Sequence, residues 1–180
     1  ALAGVVSEAY EKYGPEKTAE LCDEIKRIGF KFATKSGISL SLSDITTPPG
    51  KKAILDSGTE LVHQLNSQYR RGLLTDNERY IQIVKTWARV KNEITNEVLR
   101  AIDKRGTIYT MVNSGARGNW SQVTQLAGMK GLVANPAGRT IELPIQSNFK
   151  EGFSVLEYFI ATHGGRKGKS DTALKTAGAG

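Results

Sequence analysis

The sequence predicts a mainly α protein, and three features carry that prediction. Two stretches, 51–71 and 76–103, repeat apolar residues at helical spacing over lengths well beyond an ordinary strand. Helix-start signals recur, the clearest being Thr75 with Glu78 three residues on. The alternation expected of a half-buried strand is brief, in ISLSLSDITTPPG from Ile38 to Gly50, which collapses into Thr, Pro and Gly. The expected architecture is a long antiparallel helical hairpin plus shorter helices, a small β-hairpin-like loop and a glycine-interrupted C-terminal helix. It divides into four segments: 1–50, 51–103, 104–148 and 149–180.

In chain order, residues 4–13 read as helix, and Gly14-Pro15 breaks them before a second helix with Pro15 in its first turn. That helix carries Leu21, Ile25, Ile28 and Phe32 on one face, an expected core stripe, and ends near Gly37. Cys22 lies among these residues and reads as a buried, inert thiol. Ile38 to Gly50 reads as a short extended segment leading to a turn. The two long helices follow, joined only by Gly72-Leu73-Leu74-Thr75, so they run antiparallel. Ile54, Leu61, Leu65 and Tyr69 form one seam, and Tyr80, Val84, Trp87, Ile94 and Val98 form the facing one. With charged outer faces, the pair is expected to project.

After the basic turn Lys104-Arg105-Gly106, an apolar segment spans Ile108 to Val112, and Asn119 with Gln122 forms a second capping pattern. Leu132 to Pro144 reads as a turn around Asn135-Pro136-Ala137-Gly138 with short flanking strands. Asn148 with Glu151 is expected to cap the last helix, whose apolar face is Phe153, Leu156, Phe159 and Ile160. Its second half is unusual: Gly164, Gly165 and Gly168 each cost about 1 kcal/mol against alanine inside a helix, and Arg166, Lys167, Lys169 and Lys175 crowd the same span.

The chain of 180 residues carries a net charge of +7, with a pI near 9.5. After Asn113 eight Lys or Arg face four acids, so the later part is the more basic, which favours an anionic partner such as nucleic acid or nucleotide phosphate. One cysteine and two distant histidines, His63 and His163, build neither a disulfide framework nor a zinc site. A reducing, intracellular compartment follows, and neither a membrane span nor a signal peptide is visible. The chain starts at Ala1 without methionine and stops just past a helical pattern, which reads as an internal piece of a longer protein.

Two stretches invite a phosphate. Gly168-Lys169-Ser170 has the ending of a P-loop, but the glycine required five residues earlier is His163, so that reading fails on spacing. Arg117, flanked by glycines just before a helix start, suits an anion equally well as it suits an exposed surface turn.

Longer runs are more specific. SGARGN at 114–119, QLAGMKGL at 125–132, LPIQSNFKEGFSVLEYFIATHGGRKG at 143–168 and DTALKTA at 171–177 resemble the β′ family, the largest catalytic subunits of bacterial multisubunit RNA polymerases. GFKFATKSGISLSLSDI and GLLTDNERY, upstream, resemble the same family in the same order. The resemblance implies that 149–180 is the N-terminal part of the bridge helix beside the active centre. By the same resemblance, 51–103 is the rim hairpin of the secondary channel that admits nucleoside triphosphates, and 104–148 contains the loop supporting the bridge helix and the mobile trigger loop.

Residue by residue, it implies that Arg117 reaches toward the incoming triphosphate and that Thr176 and Ala177 pack against the template base. Arg166, Lys167 and Lys175 would make phosphate or active-centre contacts. Gly164, Gly165 and Gly168 would form a hinge, and Glu78, Arg79 and Tyr80 a tip where secondary-channel transcription factors dock. The implied partners are the other polymerase subunits (β, α, ω and the remainder of β′), template DNA, RNA and nucleoside triphosphates, in the bacterial cytoplasm and without a membrane. Nucleotide addition is phosphoryl transfer between two Mg²⁺ ions. The family's metal-binding aspartate motif is absent from this sequence, so no metal ligand or catalytic residue is expected in it, Mg²⁺ belongs to the whole enzyme, and this stretch alone is expected to be inactive. Departures from the family are Gly165 in place of alanine, Thr124 where arginine is common, and Ile81 and Lys85 for polar and acidic residues. A stand-alone basic helical nucleic-acid-binding module is the alternative.

Overall fold

The structure, a computed structural model, describes residues 2–180. Among them are six helices, one short 3-10 turn and no strand, so the mainly α prediction holds. The chain forms two compact units, one up to Leu40 and the other Ser41–Gly180.

The first unit is α1, Leu2–Ser36, two helical segments joined at Gly14 (φ 75°, ψ −179°). That φ is open to glycine without strain, and Pro15 then starts the second segment with its φ preset and no N–H to satisfy. The Thr18 hydroxyl donates to the Gly14 carbonyl at 2.7 Å, which closes the break. The expected core stripe is only partly realised: Leu21 and Ile25 are half-buried, while Ile28 and Phe32 are exposed. Cys22 is also exposed, against the expectation of a buried thiol. The stripe is present, but a lone helix has no second layer within its own unit to bury it.

In the second unit, the stretch expected to be extended holds a 3-10 turn, Leu42–Asp44. The Ser41 N–H donates to Asp44 Oδ2 at 2.9 Å, and Ser41 Oγ accepts from the Ser43 N–H. Short polar side chains that bond nearby backbone outcompete a strand that has no neighbour to pair with.

Helices α2 (Lys51–Arg70) and α3 (Asp76–Ala101) form the predicted antiparallel pair, and Thr75 and Glu78 close the predicted capping box. The buried line of α3 is Ile83, Trp87, Val90, Ile94 and Val98. Ile54, Leu55, Val62 and Leu65 of α2 pack against it. The seam therefore runs through Ile83 and Val62, next to the expected Val84 and Leu61, and Tyr69 is exposed. Gly58 marks the close approach of the helices: a methyl there would lie 2.7 Å from Val90 Cγ2 and 3.3 Å from Trp87 Cζ3. The indole N–H of Trp87 is buried without a hydrogen-bond partner.

Two short helices, α4 (Thr107–Asn113) and α5 (Trp120–Ala127), extend this core through Ile108, Val123, Ala127 and Met129. Asn119 and Gln122 cap α5 reciprocally, as predicted. Residues 131–145 then turn back on themselves, with Gly131 paired antiparallel to Ile145 and Ala134 to Thr140. These are isolated bridges in place of the expected short strands.

The last helix, α6, spans Val155–Ala179 and runs without a break through Gly164, Gly165 and Gly168. Its cap is Ser154 with Glu157, not Asn148 with Glu151. Asn148 and Glu151 do bond reciprocally, but they close a turn that Gly152, at φ 82°, separates from the helix. Of the expected apolar face, Phe153 and Ile160 pack, together with Ala161, against Val133, Ile141 and Ile145 in a second small core, whereas Leu156 and Phe159 are exposed.

Candidate nucleotide and nucleic-acid interface

The 131–145 loop is the piece that joins the predicted tip residues Arg79 and Tyr80 to α6. Its antiparallel pairing is fixed by the Gly131 N–H to the Ile145 carbonyl (2.9 Å), the return bond (3.0 Å), and the Ile141 N–H to the Val133 carbonyl (2.8 Å). Asn135 accepts from the Arg139 N–H at 2.9 Å and shapes the tip, where Gly138 sits at φ 91°. An asparagine side chain that bonds backbone a few residues on, followed by glycine, is a turn with a stated mechanism.

One face of the loop meets the start of α3. Arg79 donates twice to the Glu142 carboxylate, at 2.6 and 3.1 Å, and twice to Asp76 Oδ1, at 2.8 and 3.3 Å. These partners, Glu142 first, raise the guanidinium pKa further above its already high value. Its side chain also lies 5.3 Å from the Tyr69 ring. The Tyr80 hydroxyl donates to the Thr140 carbonyl at 3.2 Å, and Arg139 stacks 4.4 Å over the Tyr80 ring. Glu78 is spent on the cap, and the hydrogen bonds from Thr75 hold its carboxyl below the usual range. The hairpin therefore does not project freely at this end, because two of its three predicted tip residues hold the loop.

The other face of the loop meets α6. Ile141 and Ile145 pack with Ile160 and Ala161, and the tip at Gly138 comes close to Lys167, where a methyl would sit 3.4 Å from Nζ. Glu157 anchors the same helix. Burial would raise its carboxyl, but N–H groups of Gln146, Ser147 and Ser154 and the Ser147 hydroxyl all donate to it, and together they hold it at about 2. Lys130 lies 5.3 and 5.4 Å from the Phe149 and Phe153 rings, and burial lowers its pKa.

Past Ala161, α6 carries the predicted basic and small residues. Among the described residues none of Arg166, Lys167, Lys169, Lys175 or Arg117 forms an ion pair, although nine pairs occur elsewhere. Their charge is left available to an anion. Arg166 and Lys167, with Pro136, His163, Ser170 and Asp171, line an open groove. Gly168, Lys169 and Ser170 are interior residues of α6, so no loop wraps a phosphate there. No side chain lies within 4 Å of a methyl added at Gly164, Gly165 or Gly168. Thr176 and Ala177 are exposed, and the Thr176 hydroxyl donates to the Thr172 carbonyl at 2.8 Å.

Arg117 lies apart, exposed in the turn 114–118, where Gly115 and Gly118 take φ 75° and 80°. No hydrogen bond or ion pair links its side chain to α6 among the described residues. Thr124 is buried, with its hydroxyl donating to the Trp120 carbonyl at 2.9 Å. Among the described residues no three His, Cys, Asp or Glu side chains converge, so they do not fit a Mg²⁺ site. No helix among them is long and apolar enough to cross a membrane. Sequence reasoning missed Glu142 and Lys130, whose partners are distant in the chain. The Ser154-x-x-Glu157 capping signature, by contrast, was visible and would have placed the helix start.

Comparison with known proteins agrees with the resemblance noted above. Residues 1–45 match the family described as RNA polymerase Rpb1, domain 3, and residues 74–150 match RNA polymerase Rpb1, domain 4. Proteins named DNA-directed RNA polymerase subunit beta′ from Pelotomaculum thermopropionicum, Desulforudis audaxviator and Geobacillus kaustophilus are 49%, 50% and 49% identical over 179 residues, 99% of this chain. The chain spans only 15 to 16% of the length of these relatives.

Proposed function

The chain belongs to the β′ (Rpb1) family of RNA polymerase subunits, and on that premise we propose that it is the part of a DNA-directed RNA polymerase that positions nucleotide and template. In this reading α2 and α3 are the rim of the secondary channel, residues 131–145 are the supporting loop, and α6 is the first part of the bridge helix. The partners are the remaining polymerase subunits, template DNA, RNA and nucleoside triphosphates, in the bacterial cytoplasm, with secondary-channel factors at the rim.

The observation that carries this reading is the second half of α6. It is helical and largely exposed, carries four cations that form no ion pair among the described residues, and ends in the small residues Thr176 and Ala177. Positioning and charge stabilisation supply most of the catalysis in phosphoryl transfer, and unpaired cations at fixed places on a helix are suited to that work. Small side chains let a nucleobase lie close to the backbone. Because the Thr176 hydroxyl bonds within the helix, no unsatisfied polar group meets the base there. Residues elsewhere in the whole enzyme would hold Mg²⁺, which would supply charge neutralisation to the reacting phosphate.

Arg117 is assigned to the triphosphate, and the Arg117→Ala enzyme tests it. Removing a charged hydrogen bond worth about 1.5–3 kcal/mol raises the apparent KM for nucleotide accordingly. Wild-type elongation kinetics at limiting nucleotide would defeat the assignment.

A further inference from the structure

We propose that Asn148 is a positioning residue that fixes α6 relative to Arg117, with the Lys51–Glu151 pair as its support. The inference rests on the reading of Arg117 and α6 given above.

The last four carbonyls of a helix lack intrahelical partners. At the C-terminus of α5, the Thr124 carbonyl accepts from the Gly128 N–H at 2.8 Å. The other three are taken by the segment that leads into α6. Gln125 accepts from the Phe149 N–H at 3.1 Å and Leu126 from the Lys150 N–H at 3.4 Å. Ala127 accepts from Asn148 Nδ2 at 2.8 Å. The approach to α6 is thus the cap of α5, and Arg117 lies in the turn just before α5. Eight helical residues, roughly 12 Å of rigid backbone, separate the two ends.

Asn148 is the hub of this junction. It is 0% exposed, and besides the Ala127 carbonyl its Nδ2 donates to Thr47 Oγ1 at 3.3 Å. Its Oδ1 accepts from the Glu151 N–H at 2.8 Å. The Glu151 carboxylate accepts from the Asn148 N–H and from Lys51, the first residue of α2. Lys150 donates to the Ile45 carbonyl. Three segments meet at this one buried amide, the approach to α2, the end of α5 and the approach to α6, and Glu151 ties in the start of α2 through Lys51. A buried, fully satisfied polar group specifies one geometry, because any shift leaves a donor or acceptor unpaired.

The test uses assembled polymerase containing the full-length subunit, with single-nucleotide addition followed across nucleotide concentrations. Asn148→Ala is expected to lower kcat on the order of three- to tenfold, since a misplacement near 1 Å can cost up to about 100-fold. Combined with Arg117→Ala, its effect is expected to be non-additive, which a purely structural role would not give. Glu151, with its side chain 41% exposed, provides a variant that keeps the fold, and Glu151→Gln is expected to lower kcat in the same direction. Wild-type kcat in both assembled variants, or strict additivity with Arg117→Ala, overturns the proposal. If Arg117→Ala itself leaves KM unchanged, the underlying reading of Arg117 fails; if it raises KM while the Asn148 and Glu151 variants are neutral, only the positioning role fails.

Discussion

Replacing Gly58 by alanine puts the packing of α2 on α3 to a quantitative test. In an open helix the change stabilises by about 1 kcal/mol, because glycine gives up more backbone freedom on folding. At Gly58 the added methyl would stand 2.7 Å from Val90 Cγ2 and 3.3 Å from Trp87 Cζ3. Neither neighbour can give way easily: Val90 is 2% exposed and Trp87 4%, and a valine in a helix has one strongly preferred rotamer. Overpacking of this kind costs about 1–3 kcal/mol, and driving Val90 off its rotamer about 0.5–1.5 kcal/mol within that. Set against the gain of about 1 kcal/mol, the net expectation for Gly58→Ala is a loss of roughly 0–2 kcal/mol in place of that gain. Urea unfolding of the chain, followed through the fluorescence of Trp87 and Trp120, should show a midpoint no higher than that of the wild type at unchanged slope. Gly165→Ala is the mirror case, since nothing lies within 4 Å of the methyl, and it should raise helix content. A Gly58→Ala chain stabilised by about 1 kcal/mol, the full gain of an open helix position, would refute the close approach of the two helices.

Two further outcomes follow from α6. Glu157 is held at about 2 against a usual value of 4.5, so its charged form stabilises the fold above pH 4.5, and that contribution is lost as pH falls from 4.5 toward 2. Relative to Glu157→Gln, the wild type should lose roughly 2–3 kcal/mol across that window in pH-dependent unfolding; parallel profiles for the two proteins would contradict the assigned hydrogen bonds. In assembled polymerase, Gly165→Ala should stiffen α6 and change pausing or elongation rate, measured across nucleotide concentrations, and identical kinetics would leave the hinge without support.

Much of the fold was legible because its signals are local. The boxes at Thr75–Glu78 and Asn119–Gln122 need only residues three apart, and the break at Gly14-Pro15 needs only two. The same rule over-reached at Asn148–Glu151, where the reciprocal bonds form but Gly152 turns the chain before a helix can follow. Seam register was less legible. Val84 and Ile83 are adjacent on a 3.6-residue period, and only the partner surface decides which of them is buried. For the candidate site, the identities of the basic and small residues of α6 were readable, while the engagement of Arg79 and Tyr80 with the loop was not. Glu142 is 63 residues from Arg79, and no periodicity relates them.

The sequence by itself determined the helices, the caps of α3 and α5 and the concentration of basic residues in the last third, because these depend on neighbours within one or two turns. Only the tertiary structure decided that Ile28, Phe32 and Cys22 stay exposed, that the three glycines leave α6 unbroken, and that Asn148 gathers three segments at one buried amide. Burial and long-range hydrogen bonding depend on which surfaces meet. Residues about 100 positions apart, such as Lys51 and Glu151, carry no mark in the sequence that they will be neighbours.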